Sequence, residues 1–244
     1  MTIEIKPLEQ FKIEPLVPFH PFGIDASYTN AALLMTIAVV LVTALTVLAT
    51  RNAGLVPRRW QSVAEMSYEF VANMVESSAG HGGMAFFPFI FTLFMFVLFG
   101  NVLGLVPYGY TFTSQIVVTF ALAITVCVGV TIVGFIKHGF HFLALFVPPG
   151  VPAVLLLLLV PIEVLSYCIR PFTLAIRLFA NMLAGHTMLA IFAGFAASLP
   201  LFGILPVGID VAIYFLEILV AVLQAYVFAI LSCLYLHDAL HIHH

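Results

Sequence analysis

From Ala153 to about Leu199 the chain runs for more than forty residues with almost no break in its apolar character. As a single helix rising about 1.5 Å per residue, that stretch would extend roughly 65–70 Å. The hydrocarbon core of a bilayer is only about 30 Å thick, and an ordinary tilt of about 20° does not absorb the excess. Two arrangements are open: Pro161 and Pro171 break the segment into pieces, or it lies steeply inclined against something else. A second over-long segment, Pro206 to about Leu240, suggests a helical hairpin lying across the membrane. Composition agrees with a membrane protein: 63% of residues are hydrophobic and 8% charged, with a mean hydropathy of +1.18, against about 25% charged in soluble domains.

The rest of the chain is read as one all-α architecture. Residues 1–30, polar and broken by prolines, form an N-terminal extramembrane arm, and 31–244 form a single polytopic membrane domain. Its first span is 31–50, with spans two and three at 86–106 and 115–136. The over-long pair occupies 153–199 and 206–240. Between spans one and two, residues 61–77 repeat Val63, Met66, Phe70, Met74 and Ser77 at helical spacing, with Glu65, Glu69 and Glu76 elsewhere around the wheel. That pattern predicts an amphipathic helix at the membrane surface. Arg51, Arg58, Arg59 and Lys137 fall on one side of three crossings, and the turn at 107–114 has no basic residue. The positive-inside rule therefore places the N-terminus outside and the C-terminus in the cytoplasm.

Several functions are excluded or unsupported. A net charge of −3 without a basic face argues against nucleic acid. No Gly-rich phosphate loop is present, so no bound nucleotide is expected. Cys127, Cys168 and Cys233 lie far apart in apolar segments and read as buried free thiols, so neither metal nor cofactor is expected. No basic region followed by an apolar core opens the chain, so no signal peptide is expected.

Arg177 is the costly residue. Arginine stays protonated, and at the centre of a membrane helix it costs about 2.5–3.5 kcal/mol even on lenient scales. Glu163, Arg170 and Arg177 are spaced seven apart, which returns each to within about 20° of the last, so they form one stripe with Asn181 close by. His186 lies about 180° around from Arg177 and roughly 13 Å along. In the last helix Glu217, Gln224, Tyr235 and Asp238 also fall near one face. Two such stripes on paired helices could line water-filled or proton-relay paths. Blander alternatives stand beside this. Arg170 and Glu163 could be a packing ion pair, His186 a core histidine, Gln224 interhelical glue and Asn101 a helix-terminus residue.

The run Ile169-Arg170-Pro171-Phe-Thr-Leu-Ala-Ile-Arg177-Leu-Phe-Ala-Asn181-Met-Leu-Ala-Gly185-His186 closely resembles the signature of the a subunits of F-type ATP synthase. Glu217-Ile-Leu-Val-Ala-Val-Leu-Gln224-Ala-Tyr-Val-Phe228 and Asn101-Val-Leu-Gly-Leu-Val-Pro107 resemble two further landmarks of that family, and the likeness covers about Arg51 to Asp238. The resemblance implies that Arg177 is the stator arginine, an electrostatic gate between two half-channels. It assigns Asn101, His186, Glu217 and Gln224 to the outer path and Glu163 and Asp238 to the inner one. Arg170, Asn181 and Tyr235, which lie on or near the same stripes, are expected to support them. His186 with Glu217 is the arrangement of mitochondrial and alphaproteobacterial members; some bacterial members carry the two residues exchanged.

The partners so implied are a ring of c subunits, on which the inclined helices pack, the peripheral stalk b subunits and the rest of the synthase. The titratable His186 favours protons as the coupling ion. A bacterial inner membrane is the expected location, with the mitochondrial inner membrane as the alternative. Two other classes compete. A membrane di-iron enzyme is suggested by His138-x-x-His141 and by His237, His241, His243 and His244, but it leaves Arg177 unexplained. A secondary transporter predicts internal repeats, and none is found.

Overall fold

The computed structural model describes residues 11–18, 27–51, 54, 59–106, 110–147, 152–198 and 204–241. Arg58, most of the N-terminal arm, the tip of the 107–114 turn, the proline run at 148–151 and the terminal His243 and His244 lie outside these residues. Among the described residues six α-helices follow one another: α1 Asn30–Arg51, α2 Arg59–Ala79, α3 Phe87–Gly104, α4 Ile116–His138, α5 Ala153–Ser198 and α6 Ile204–Leu240. Among the described residues five helical segments, all but α2, are long and apolar enough to cross a membrane. The chain is an all-α membrane protein.

Of the two arrangements left open for the long segment, the structure has the continuous one. α5 runs unbroken for 46 residues with Pro161 and Pro171 inside it. Each proline lacks the amide that would meet the carbonyl four residues earlier, Leu157 and Tyr167 respectively. At about 1.5 Å per residue α5 is more than twice as long as the hydrocarbon is thick. α6, with 37 residues, is also over-long.

α5 and α6 pack antiparallel. Arg170 meets Asp238, Arg177 meets Gln224 and His186 meets Glu217, so positions rise on one helix as they fall on the other. The inward face of α6 carries Ala221, Ala225, Ala229 and Cys233, all fully buried. Small side chains repeating every four residues let a neighbouring backbone approach closely, which is how helices gain contact where lipid removes the hydrophobic drive. Around this seam sit Leu93 and Val97 of α3, Val126 of α4, and Leu178 and Met182 of α5. Hydroxyls within the spans are satisfied locally: Thr43, Thr92, Thr125 and Thr187 each donate to the carbonyl four residues earlier.

α2 docks on the core through a face that only partly overlaps the apolar series read from its spacing. Met66 is 69% exposed and Val63 and Phe70 are also exposed, while Val71, Met74, Val75 and Ala79 are buried. Steps of four residues advance about 40° around a helix. Val71, Val75 and Ala79, at successive steps of four, therefore define a docking face beside the expected series, with Met74 at the border between the two. α2 ends at Gly80, whose φ of 68° no β-carbon favours.

The arm is more ordered than its composition implied. Pro15–Val17 (β1) pairs antiparallel with Tyr28–Thr29 (β2). Asn30 ties this pairing to α1: its Nδ2 donates to the Lys12 carbonyl, and its Oδ1 accepts from the amides of Glu14 and Ala31. The arm also reaches the turn before α4, where Gln115 Nε2 donates to the Phe11 carbonyl at 2.8 Å. At the opposite end of the bundle, Lys137 Nζ donates to the last carbonyl of α6, that of Leu240, at 3.1 Å.

Of the three cysteines read as buried, only Cys233 is; Cys127 is half-buried and Cys168 exposed. The apolar stretch around Cys168 belongs to a helix that leaves one flank uncovered, which apolarity alone cannot distinguish from core.

Candidate functional site

α5 presents two faces to two environments. Arg177 and Asn181 lie on the exposed flank among Ile169, Phe172, Ile176 and Met188. Among the described residues no carboxylate stands within ion-pair distance of Arg177. Its backbone carbonyl does have a partner across the helix pair, the Nε2 of Gln224, in a long hydrogen bond of 3.5 Å. Gln224 is itself 4% exposed.

Turned about half a circle from Arg177, His186 faces inward. Its Nε2 lies 2.8 Å from the Thr111 hydroxyl and 3.5 Å from Glu217 Oε1. The second distance is an ion-pair separation, and neither carboxylate oxygen of Glu217 has a hydrogen-bond partner. Glu217 is 4% exposed. It fits because position 185 is glycine: a β-carbon there would fall against the Glu217 carboxylate. Asn101, fully buried near the end of α3, donates from Nδ2 to the Ala221 carbonyl at 3.0 Å, and its Oδ1 has no partner. Asn101 is thus an interhelical contact one turn from Glu217, not merely a helix-terminus residue. From the arm, the Phe11 ring stands edge-on to the His186 imidazole, centroids 6.3 Å apart.

A second polar group lies toward the other end of the helix pair. Arg170 donates to Asp238 Oδ2 at 3.0 Å. Its guanidinium also lies over the rings of Tyr167 and Tyr235, at 5.3 and 5.0 Å from their centroids, a favourable place for a cation. The alternative of a packing pair between Arg170 and Glu163 is replaced: the carboxylate that meets Arg170 comes from α6. Glu163 is half-buried two turns further along α5. Arg177 stands between the two groups, about 10 Å along the helix from Arg170 and about 13 Å from His186.

Thr111, Gly185, Tyr167 and Asp210 carry parts of this arrangement that the sequence reading did not single out. For Asp210 a signal existed. It lies seven residues before Glu217, which extends the α6 stripe by two turns, and its Oδ1 is buried without a partner. Nothing local marks Thr111, which reads as an ordinary turn residue. Of the histidines considered for iron, His138, His237 and His241 have described neighbours, and His243 and His244 lie outside the described residues. His138 Nε2 lies 3.3 Å from the Leu240 carbonyl, and the His237 and His241 rings are 4.6 Å apart.

Fold and site together define a polytopic membrane protein whose ionisable side chains meet at helix–helix contacts in two separate groups. The chain belongs to the ATP synthase A chain family, whose model matches residues 32–237. Similar proteins include the ATP synthase subunit a of Allorhizobium ampelinum, 58% identical over 96% of this chain and 97% of that one. The subunit a of Parvibaculum lavamentivorans is 54% identical over 97% of this chain and 94% of its own. That of Paramagnetospirillum magneticum is 51% identical over 97% and 99%.

Proposed function

We propose that this chain is the stator subunit that carries protons through the membrane sector of an F-type ATP synthase in a bacterial inner membrane. Family membership supports the assignment, and one observation carries the mechanism. Two polar groups lie at different depths on the α5–α6 pair, and between them an arginine on the uncovered flank has no acid partner among the described residues. A permanent cation at that depth needs a counter-charge, so the carboxylate comes from another chain, a c subunit of the rotor ring. The exposed apolar side chains flanking Arg177 suit a partner of that kind.

A proton enters from outside through Asn101, His186, Glu217 and Gln224 and neutralises the rotor carboxylate. In its uncharged form the carboxyl can face lipid, since transferring a neutral group costs far less than transferring an ion. After nearly a full turn of the ring, the carboxyl releases its proton to the inner path near Glu163 and Asp238. Arg177 stabilises the ionised carboxylate as it passes and repels a proton attempting to cross directly. Arg170, Asn181 and Tyr235 support the two paths, and the b subunits and the rest of the synthase hold the chain against rotation. The chain has no catalytic site of its own. The Lys137 end of the bundle faces the cytoplasm and the N-terminal arm faces outside.

The test is Arg177→Ala. ATP synthesis driven by a proton gradient is expected to fall to background while the complex still assembles. Arg177→Lys should rescue it poorly, because a desolvated lysine can lose its proton. Normal synthesis in membranes of the alanine variant overturns the proposal.

A further inference from the structure

We infer that Thr111 is a positioning residue for the proton step between His186 and Glu217, and that it acts by competing with Glu217 for one imidazole nitrogen. The inference deepens the proposed function and rests on the outer path assigned there.

First, His186 Nε2 is shared. It lies within hydrogen-bond distance of the Thr111 hydroxyl at 2.8 Å and only at ion-pair distance, 3.5 Å, from Glu217 Oε1. A single ring nitrogen has one proton or one lone pair to offer in the ring plane, so it can serve these two oxygens fully only in turn. In the arrangement described, the hydroxyl has the nitrogen and both oxygens of Glu217 lack a hydrogen bond.

Second, the hydroxyl is held rigidly. Thr111 is extended at φ −100°, ψ 102° and leads into the 3-10 turn Phe112–Ser114. Its carbonyl accepts from the Ser114 amide at 3.2 Å and from the Ser114 hydroxyl at 2.6 Å. The side chain is 2% exposed and lies against Gly104, where a β-carbon would collide with it. Third, a hydroxyl both donates and accepts. It can therefore bond Nε2 whether or not that nitrogen carries a proton, which a carboxylate, being acceptor-only when ionised, cannot do.

Together these make Thr111 a waiting partner. It keeps the imidazole close to Glu217 without letting the two lock into a permanent ion pair. When the protonated ring turns from the hydroxyl to the carboxylate, the Nε2–H bond breaks as an O–H bond forms on Glu217. The neutral nitrogen then returns to accept from Thr111.

The experiment measures passive proton flow through the membrane sector of the assembled synthase in vesicles, by quenching of a pH-sensitive dye. Thr111→Val keeps the shape and removes only the hydroxyl; Thr111→Ser keeps the hydroxyl and removes a methyl. The valine variant is expected to conduct about fivefold to tenfold more slowly, the scale of one lost hydrogen bond, and the serine variant to keep at least half of the native rate. A packing role predicts the reverse order, with valine near native and serine impaired, and that result overturns the inference. If T111V does not assemble, Thr111→Ala against Thr111→Ser asks the same question with the methyl absent from both, and equal rates overturn it. His186→Leu separates the two levels. Loss of conduction there with native conduction in T111V sinks only the role of Thr111. Native conduction in His186→Leu sinks the outer path itself.

Discussion

Glu217 shows how far one residue's setting depends on what its neighbours lack. Its carboxylate is 4% exposed, has no hydrogen bond and rests where Gly185 offers only hydrogen. Gly185→Ala would drive a methyl into that carboxylate and shift it relative to the His186 ring. Forcing extra volume into a packed contact typically costs about 1–3 kcal/mol. If that cost falls on the proton step, gradient-driven synthesis drops about fivefold or more. Synthesis assays normalised to assembled complex check this, and a native rate would mean that the carboxylate tolerates displacement. This contact was not legible beforehand. Gly185 and Glu217 are thirty-two positions apart, and no periodicity relates the rotation of one helix to the depth of another.

At the scale of the element, α5 and α6 are joined by charges as well as by small side chains. Arg170 and Asp238 meet at 3.0 Å, but their side chains are 24% and 42% exposed in the isolated chain, so the pair is not a deeply buried one. A double-mutant cycle with Arg170→Gln and Asp238→Asn, read as resistance of the purified chain to unfolding in detergent, should give a coupling of about 0.5–3 kcal/mol. Additive effects would show that the two charges do not stabilise each other. Local rules foresaw much of these helices. The seven-residue spacing put Glu163, Arg170 and Arg177 on one stripe, and Arg177 does lie away from His186. The same spacing could not choose between Glu163 and Asp238 as the partner of Arg170, because only one of the two lies on its own helix. Nor did the prolines decide continuity. A missing amide weakens a helix at one point, while packing along its length holds it together.

For the whole molecule, five helical segments among the described residues are long and apolar enough to cross a bilayer, and the proposed orientation, with one crossing each, predicts that the two ends lie on opposite sides. In a chain with Cys127, Cys168 and Cys233 replaced by serine, a cysteine at Ser27 should react with an impermeant maleimide only from outside. One at His241 should react only from the cytoplasmic side. Labelling of both from the same side rejects the proposed orientation.

Hydropathy and helical periodicity by themselves determined that this is an all-α membrane protein with over-long C-terminal helices and ionisable stripes on both, because burial in lipid and the repeat of a helix are local properties of a chain. The tertiary structure decided which groups meet: Asn101 with the Ala221 carbonyl, Thr111 with His186, Arg170 with Asp238. Those pairings depend on how each helix is rotated and how deeply it sits against its neighbours. That is set by the interlocking of small and large side chains across the whole bundle, and no single segment encodes it.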